Sequence, residues 1–461
     1  MNIGTSVSVI VTSLKSYAKK VESSPLRYRL AKGVVWLFVG SMVVRALGLV
    51  SSMCIARMLG KTGFGELGVI QSTLGAFGLF AGFGLGTTAT KYIAQFRALH
   101  PQRTGRIIGL STSVAVASGT IVASILIIMA PWLAEHTLAA PHLAGLIRIG
   151  SIYMVITAIN GAQDGVLAGF EAFRAIATRN FWAGIITFPM VVLGVYFYDV
   201  SGAVWALVLG ASVNYILNHR AICYESKKAC IPIVLKGCLT EWPILWQFSL
   251  PSVLTGSLVG PVMWICNAML VHQHNGYSEM GILNAANQWK SATILIPSLL
   301  CNVAIPVLSE RDGVGDYASI KRVVYKMLQM LIIGSLPIMF IICVMSPFIM
   351  ASYGSGFRDK WLVFVCLQIA VMLQITQAPT VKFLESTGRV WIHFIMNVGQ
   401  SICLIFITAL LIQYGALGLA IGQLASFVVH GIWLWTYTII ALNHLSLVKT
   451  LDARLERWSV K

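Results

Sequence analysis

Charge is scarce in this sequence. Of its 461 residues only 11% are Asp, Glu, Lys or Arg, less than half the share of about 25% usual in soluble domains. Acidic residues are scarcest, with 16 Asp and Glu against 33 Lys and Arg. A soluble fold of this length needs far more polar surface to cover its core. The shortage also argues against a soluble nucleic-acid binder, which carries its basic patch on a polar surface. Metal-binding spacings are missing as well: there is no HExxH and no CxxC, and His272 and His274 only flank a loop. The nine cysteines form no disulfide framework. Most of them (Cys54, Cys266, Cys301, Cys343, Cys366, Cys403) lie inside apolar stretches and read as small packing residues. Long polar segments are missing too. The longest loop on the less basic face runs only about 131–146, too short to carry the carboxylates, His or Arg that a membrane polymerase or ligase needs at that face. No signal-peptide pattern opens the chain, because the apolar run 7–11 is short and Lys15, Lys19 and Lys20 follow it.

What is present is apolar. Hydrophobic residues make up 57% of the chain, and the formal net charge is +17. A membrane-spanning helix needs about 20 predominantly apolar residues. Twelve such stretches are legible, roughly 33–56, 66–89, 106–130, 147–169, 177–198, 202–221, 247–271, 281–307, 325–350, 361–384, 391–413 and 416–441. An even number puts both termini on one side, and Lys and Arg decide which. Placing the termini in the cytoplasm puts 26 of the 33 basic residues on the cytoplasmic side. Five lie outside (Arg57, Lys61, Arg148, Arg358, Lys360), and two, Arg45 and Lys290, fall within spans. The expected organisation is an all-α polytopic membrane protein. It has a cytoplasmic tail 1–29, a six-helix lobe 30–221, a cytoplasmic loop 222–246, a second six-helix lobe 247–442 and a cytoplasmic tail 443–461.

An internal repeat supports the division. Gly63-Phe64-Gly65-Glu66-Leu67-Gly68-Val69-Ile70 matches Gly276-Tyr277-Ser278-Glu279-Met280-Gly281-Ile282-Leu283 at one offset, with three identities. Each copy opens the second helix of its half on the outer side. Six helices per half give the halves parallel orientation, and such repeats pack about an axis along the membrane normal with the substrate path between them. Two glycine motifs read as structure instead of nucleotide sites. Gly60-Lys61-Thr62 lacks the earlier glycine of a phosphate-binding loop, since Ile55 stands there. Gly78, Gly82 and Gly86 recur every fourth residue, a spacing suited to close helix packing.

The informative residues are the charges inside spans. A central Arg costs roughly 2.5–3.5 kcal/mol on insertion scales, so Arg45 is expected to face water, a counter-ion or a substrate. It reads either as part of a cationic cavity for an anionic substrate or as the structural partner of Asp164. Lys290 sits on a helix whose Asn284, Asn287, Gln288 and Ser291 form a polar stripe. It is expected to line a cavity, with snorkelling or interhelical hydrogen bonding as the alternatives. Asp164 ends a stripe of Tyr153, Thr157 and Asn160; it reads as an ion- or proton-coupling site or as a pair with Arg45 or Arg174. Gln374, Gln377, Asn397, Gln400 and His430 are further candidate lining groups in the second half. No catalytic or metal-ligating set is expected.

The runs Lys32-Gly33-Val34-Val35-Trp36 through Arg45, Ile55-Ala56-Arg57-Met58-Leu59-Gly60 and Gly63-Phe64-Gly65-Glu66-Leu67-Gly68 resemble the opening of polysaccharide biosynthesis proteins of the oligosaccharide flippase family. That family belongs to the multidrug/oligosaccharidyl-lipid/polysaccharide exporter superfamily. Gly281-Ile282-Leu283-Asn284-Ala285-Ala286-Asn287-Gln288 is similar to the family's eighth helix. The resemblance implies a MATE-like fold and a flippase for undecaprenyl-pyrophosphate-linked oligosaccharide, such as O-antigen repeat units, in the bacterial inner membrane. It implies alternating access, with proton or sodium coupling in some members and no cofactor. Membrane lipids and polysaccharide polymerase machinery are the expected partners, and nucleic acid is not. An Arg can fork two phosphate oxygens and a Lys acts as a point charge, so Arg45 and Lys290 fit a pyrophosphate. A cation-coupled multidrug exporter of the same superfamily is the alternative. A glycosyl polymerase or ligase is a more distant one.

Overall fold

The computed structural model describes residues 25–234, 237–245, 258–294 and 317–459, and the single positions 249, 297, 301 and 308. Side chains are described within 40–442 of those segments, apart from 317, 318 and 390. The predicted tail 1–29 falls largely outside the described residues, as do parts of the predicted inter-lobe loop and of the seventh and eighth spans. Among the described residues every regular element is helical.

The main helices are α1 (Pro25–Gly82), α2 (Leu85–Phe96), α3 (Pro101–Trp132), α4 (Ala144–Gly169), α5 (Phe173–Lys228), α6 (Val259–Val271), α7 (Gly276–Thr293), α8 (Tyr317–Val344), α9 (Ser346–Ser352), α10 (Trp361–Ser386), α11 (Val390–Leu411) and α12 (Ala416–Ser459). These are not one crossing each. Eight segments among the described residues are long and apolar enough to span a bilayer, and two of them, Gly40–Phe96 and Phe173–Lys228, exceed 55 residues. At 1.5 Å per residue each would run about 85 Å if straight, nearly three times a hydrocarbon core. Both are broken. In α1 the break is at Gly60, whose φ of 67° lies where glycine is at ease. In α5 it is at Tyr198 and Asp199. There the chain doubles back, because Gly194 and Gly202 abut so closely that a Cβ on Gly202 would collide with the Gly194 carbonyl. Residues eight apart in one helix would be about 12 Å apart. Ten of the twelve predicted spans fall in the eight segments. The seventh and eighth coincide in part with α6 and α7.

One expectation changes. Among the described residues a Cβ added at Gly78 or Gly82 would meet nothing within 4 Å, so these two make no close packing there; Gly86 does, against the Gly161 carbonyl at 2.8 Å. The reason is that the helix breaks inside the stripe: Phe83 and Gly84 both take positive φ, which rotates Gly86 off the line of the other two. α12 continues without interruption to Ser459, into the predicted tail 443–461.

The two copies of the repeat face each other. Gly65 packs on the Tyr277 carbonyl and on Gly281, Gly281 packs on the Lys61 carbonyl, and Gly68 packs on the Asn284 side chain. Around this contact Arg57 Nε donates to the Ser352 carbonyl at 2.7 Å. Ser52 and Tyr353 hydroxyls lie 3.2 Å apart, and Trp264 Nε1 donates to Thr73 Oγ1 at 2.9 Å. Tyr277 donates to the Leu138 carbonyl at 2.7 Å, and burial together with the Glu66 carboxylate pushes its phenol above the usual range. Phe64, Tyr353 and Phe357 form a buried aromatic trio beneath it. The largest apolar cluster spans both sides of this contact, joining Phe64, Ile70 and Met154 to Ile282, Phe364 and Leu419. A second cluster holds Ile93, Ile107, Val166 and Ile222. A third, around Val324, Phe383 and Leu434, lies wholly in the second half. Among the described residues the two halves are therefore joined largely at the repeat-bearing end, with a further contact between the Thr88 and Ser249 hydroxyls at 2.7 Å.

Candidate functional site

Three apolar helices of the second half each carry one polar stripe at helical spacing. On α10 it is Gln374 and Gln377; on α11 it is His393, Asn397 and Gln400; on α12 it is Gln423, Ser426 and His430, with the Phe427 ring beside them. Separations of three, four and seven residues put such groups on one face. The three stripes converge, with Lys290 of α7, on a cavity of about 490 Å³. Val259, Val262 and Met263 of α6 form apolar wall. Among the described residues the lining holds no Asp or Glu.

Lys290 is the centre of its charge. Its Nζ donates to Gln423 Oε1 at 3.2 Å and stands 5.4 Å from the centroid of the Phe427 ring. Among the described residues no carboxylate pairs with it. Neither partner is anionic, so neither neutralises the ammonium through an ion pair. Lys382 also lines the cavity, but Glu385 engages it at 2.8 Å.

Around Lys290 runs a chain of amides and imidazoles. Gln377 Nε2 donates to the Phe427 carbonyl at 2.7 Å. Its Oε1 can only accept, so the proton of the 2.8 Å contact sits on His430 Nδ1. That leaves His430 Nε2 as a lone pair, buried and without a partner among the described residues. Asn397 Nδ2 donates to His393 Nε2 at 3.3 Å, and the two imidazole centroids are 6.5 Å apart. Gln374 Oε1 and Gln423 Nε2 are likewise buried with no partner among the described residues. A wall with unspent donors and acceptors suits a hydroxyl-rich ligand, since buried polar groups are normally satisfied.

The structure brings Lys290, Gln374 and Asn397 together with Gln377, Gln400 and His430, and separates the other predicted residues from them. Arg45 is exposed on the first part of α1, does not line this cavity, and pairs with nothing among the described residues. Asp164 does not meet Arg45 or Arg174. It is held by Arg179 Nη1 at 2.9 Å and by Asn218 Nδ2 at 3.0 Å. Asn160 is buried and donates to the Ala211 carbonyl at 3.0 Å, fastening α4 to α5. Asn284 fills the space over Gly68 at the seal, within 3.4 Å of the Phe64 carbonyl. Asn287 and Gln288 are half-buried on α7 outside the cavity lining. The polar stripe of α7 thus divides between seal and cavity. His393, Gln423, Ser426 and Phe427 were not expected. The 423–426–430 spacing on α12 was the available signal for two of these positions, Gln423 and Ser426, and Phe427 was concealed by being one more aromatic in an apolar helix.

Comparison with known proteins points one way. The sequence profile of the polysaccharide biosynthesis protein family matches residues 30–311. The chain is 24% identical over 303 residues to the EPS I polysaccharide export inner membrane protein EpsE of Ralstonia nicotianae, a match covering 61% of this chain and 64% of that protein. It is 22% identical over 413 residues to the lipid III flippase of Escherichia coli, covering 87% of this chain and 96% of the relative. Its fold is similar to that of a multidrug resistance MATE family transporter of the MOP superfamily in an inward-facing conformation. That likeness has a TM-score of 0.69 at 16% identity, over 90% of this chain and 99% of the other.

Proposed function

The chain belongs to the polysaccharide biosynthesis protein family, and from that premise we propose that it is a flippase acting on undecaprenyl-pyrophosphate-linked oligosaccharide. It carries the sugar-bearing head from the inner to the outer leaflet of the bacterial inner membrane and catalyses no covalent step. The observation that carries this reading is the cavity around Lys290, whose described lining is free of carboxylates and whose cation is held, among the described residues, by Gln423 and Phe427. A cavity of that sign repels cationic drugs and attracts a pyrophosphate. Amides and imidazoles with unspent hydrogen-bonding atoms suit sugar hydroxyls, and the Phe427 ring suits the apolar face of a sugar.

In this reading both termini are cytoplasmic, which puts the repeat-bearing seal on the outer side. The halves rock against each other: the cytoplasmic side loads, the seal then opens, and the head leaves outward while the polyprenyl tail stays in lipid. Arg45, exposed on the first helix, is a second candidate contact for phosphate on the moving half.

The test uses a strain deleted for this chain and complemented with Lys290→Gln or Lys290→Arg. Expression is checked in both. Lys290→Gln should leave surface polysaccharide reduced about tenfold or more, with lipid-linked repeat units retained inside, because one charge-assisted contact is lost. Lys290→Arg should restore most of it. Normal surface polysaccharide in the deletion strain sinks the proposal. So does loss of cationic-drug resistance as the only phenotype.

A further inference from the structure

A second recess lies on the other half, away from Lys290. It encloses about 810 Å³ where α4 ends, α5 begins and the far end of α5 returns. Arg97, Arg174, Arg179 and Lys228 line it, with Glu171 and Glu225. All come from the segments 91–106, 171–182 and 217–229, the face on which the basic residues of this half gather. Its other walls are aromatic. Trp182 and Tyr224 are both in the lining and both more than half exposed, and Phe181 stacks edge-on to Trp182 at 5.7 Å. Exposed Trp and Tyr next to Arg and Lys at the end of an apolar helix is the composition of a membrane interface.

The charges are paired but not balanced. Arg97 lies 2.6 Å from Glu171, and Lys228 is 3.9 Å from Glu225. Asp164, outside the lining, holds Arg179 at 2.9 Å. The lining itself carries four cations against two carboxylates, so its formal charge is positive. Arg179 supplies an independent observation. Its side chain is only 10% exposed, and its Nε is buried without a hydrogen-bond partner among the described residues. A guanidinium placed in the wall of a large open recess, one acceptor short, is offset by the field of an anion in that recess. The first amides of α5 open into the same space and add to that field.

We propose that this recess binds the phosphate of a membrane lipid. The headgroup sits among Arg174, Arg179 and Lys228, and the acyl or prenyl chain lies along Trp182 toward the bilayer. The excess of cations over carboxylates in the lining suits a phosphodiester, and the exposed aromatic edge distinguishes a lipid phosphate from a free ion. This site does not rest on the transported substrate or on Lys290.

The purified full-length chain, in neutral detergent, is tested by native mass spectrometry and by thermal stabilisation. The probes are phosphatidylglycerol, undecaprenyl phosphate, phosphatidylcholine and inorganic phosphate. The expected result is retention of phosphatidylglycerol, undecaprenyl phosphate or both over phosphatidylcholine, weakened by salt. Which of the two is retained tells whether the bulk lipid or the carrier lipid supplies the phosphate. Arg174→Gln with Lys228→Gln should weaken retention about tenfold. Should the double variant aggregate, Lys228→Gln alone carries the test, since that side chain is 68% exposed. Equal retention of phosphatidylcholine, stabilisation by inorganic phosphate alone, or undiminished lipid retention in the variants each overturns the proposal.

Discussion

Gly65 and Gly281 meet backbone to backbone. A Cβ on Gly65 would stand 2.9 Å from the Gly281 amide nitrogen, and one on Gly281 would stand 3.2 Å from the Gly65 amide nitrogen. Both positions belong to the internal repeat, so the two copies form the seal between the halves. A methyl group at either site forces the helices apart, and overpacking of this kind costs about 1–3 kcal/mol. Gly281→Ala should therefore shift the population toward an open seal. In a cysteine-free background a Phe64→Cys probe, buried at 2% exposure in the native chain, should react with a maleimide at least several-fold faster when Gly281→Ala is present. Equal labelling rates would show that the seal tolerates the methyl group.

The Gln423–Lys290–Phe427 contact gives a prediction about affinity. Gln423 Oε1 accepts one hydrogen bond from Lys290 Nζ, and the Phe427 ring lies beside the ammonium. Gln423→Leu and Phe427→Leu should each weaken substrate engagement by about 0.5–1.5 kcal/mol, roughly two- to tenfold. In a reconstituted flipping assay this should show as a higher substrate concentration for half-maximal rate, with a smaller change in the maximal rate. A fall in the maximal rate alone would assign the contact to conformational change.

Asp164 and Arg179 act as a structural pair. With the carboxylate 46% exposed, solvent screens the interaction, and its removal should cost only about 1 kcal/mol. Asp164→Asn should lower the melting temperature in detergent modestly. Adding Arg179→Gln should cost less than the sum of the two single changes. If transport in Asp164→Asn loses its dependence on the ion gradient while stability is unchanged, the residue is a coupling site instead.

Glu241 sits in the connection between the halves. Its carboxylate is 8% exposed and receives Arg103 Nε at 2.9 Å and Arg106 Nη2 at 3.1 Å. Arg103 also covers the Phe96 ring at 4.1 Å. Glu241→Gln keeps the shape but removes the charge that two guanidiniums share. It should destabilise by about 1–2 kcal/mol, a modest cost because both arginines are partly exposed and solvent screens them. Protease nicking within 229–246 should rise with it, and an unchanged melting curve and digestion pattern would refute the role.

The repeat was legible because its glycines and glutamates stand at matched positions in both halves. Glu279 shows what the motif serves: it accepts from Lys360 at 3.0 Å and from the Ala416 amide at 3.0 Å, tying α7 to α10 and α12. Lys290 was legible as a charge in an apolar helix with a polar stripe. Its partners Gln423 and Phe427 lie more than 130 positions away, and no local window joins them. Arg45 was equally conspicuous in the sequence, yet it stands outside the cavity because the face of α1 beside it packs on α5, where Gly184 meets Leu47 and Val44. Asp164 likewise meets Arg179, at 2.9 Å, a partner that only the packing of α4 against α5 selects.

Apolar length, scarcity of charge and the side on which Lys and Arg gather are properties of short windows of chain. The transfer free energy of a window into lipid depends on its own composition. The sequence by itself therefore determined a polytopic helical protein and the approximate places of its spans. Which polar residues share a cavity depends on the rotation of each helix about its axis and on how closely glycines let neighbours approach. A change of one residue in register turns a side chain by about 100°, from cavity to lipid or to a neighbouring helix. Those rotations are set by packing between helices remote in sequence. Only the tertiary structure decided that Lys290 faces Gln423 and Phe427, that Asn284 serves the seal, and that Asp164 is bound to Arg179.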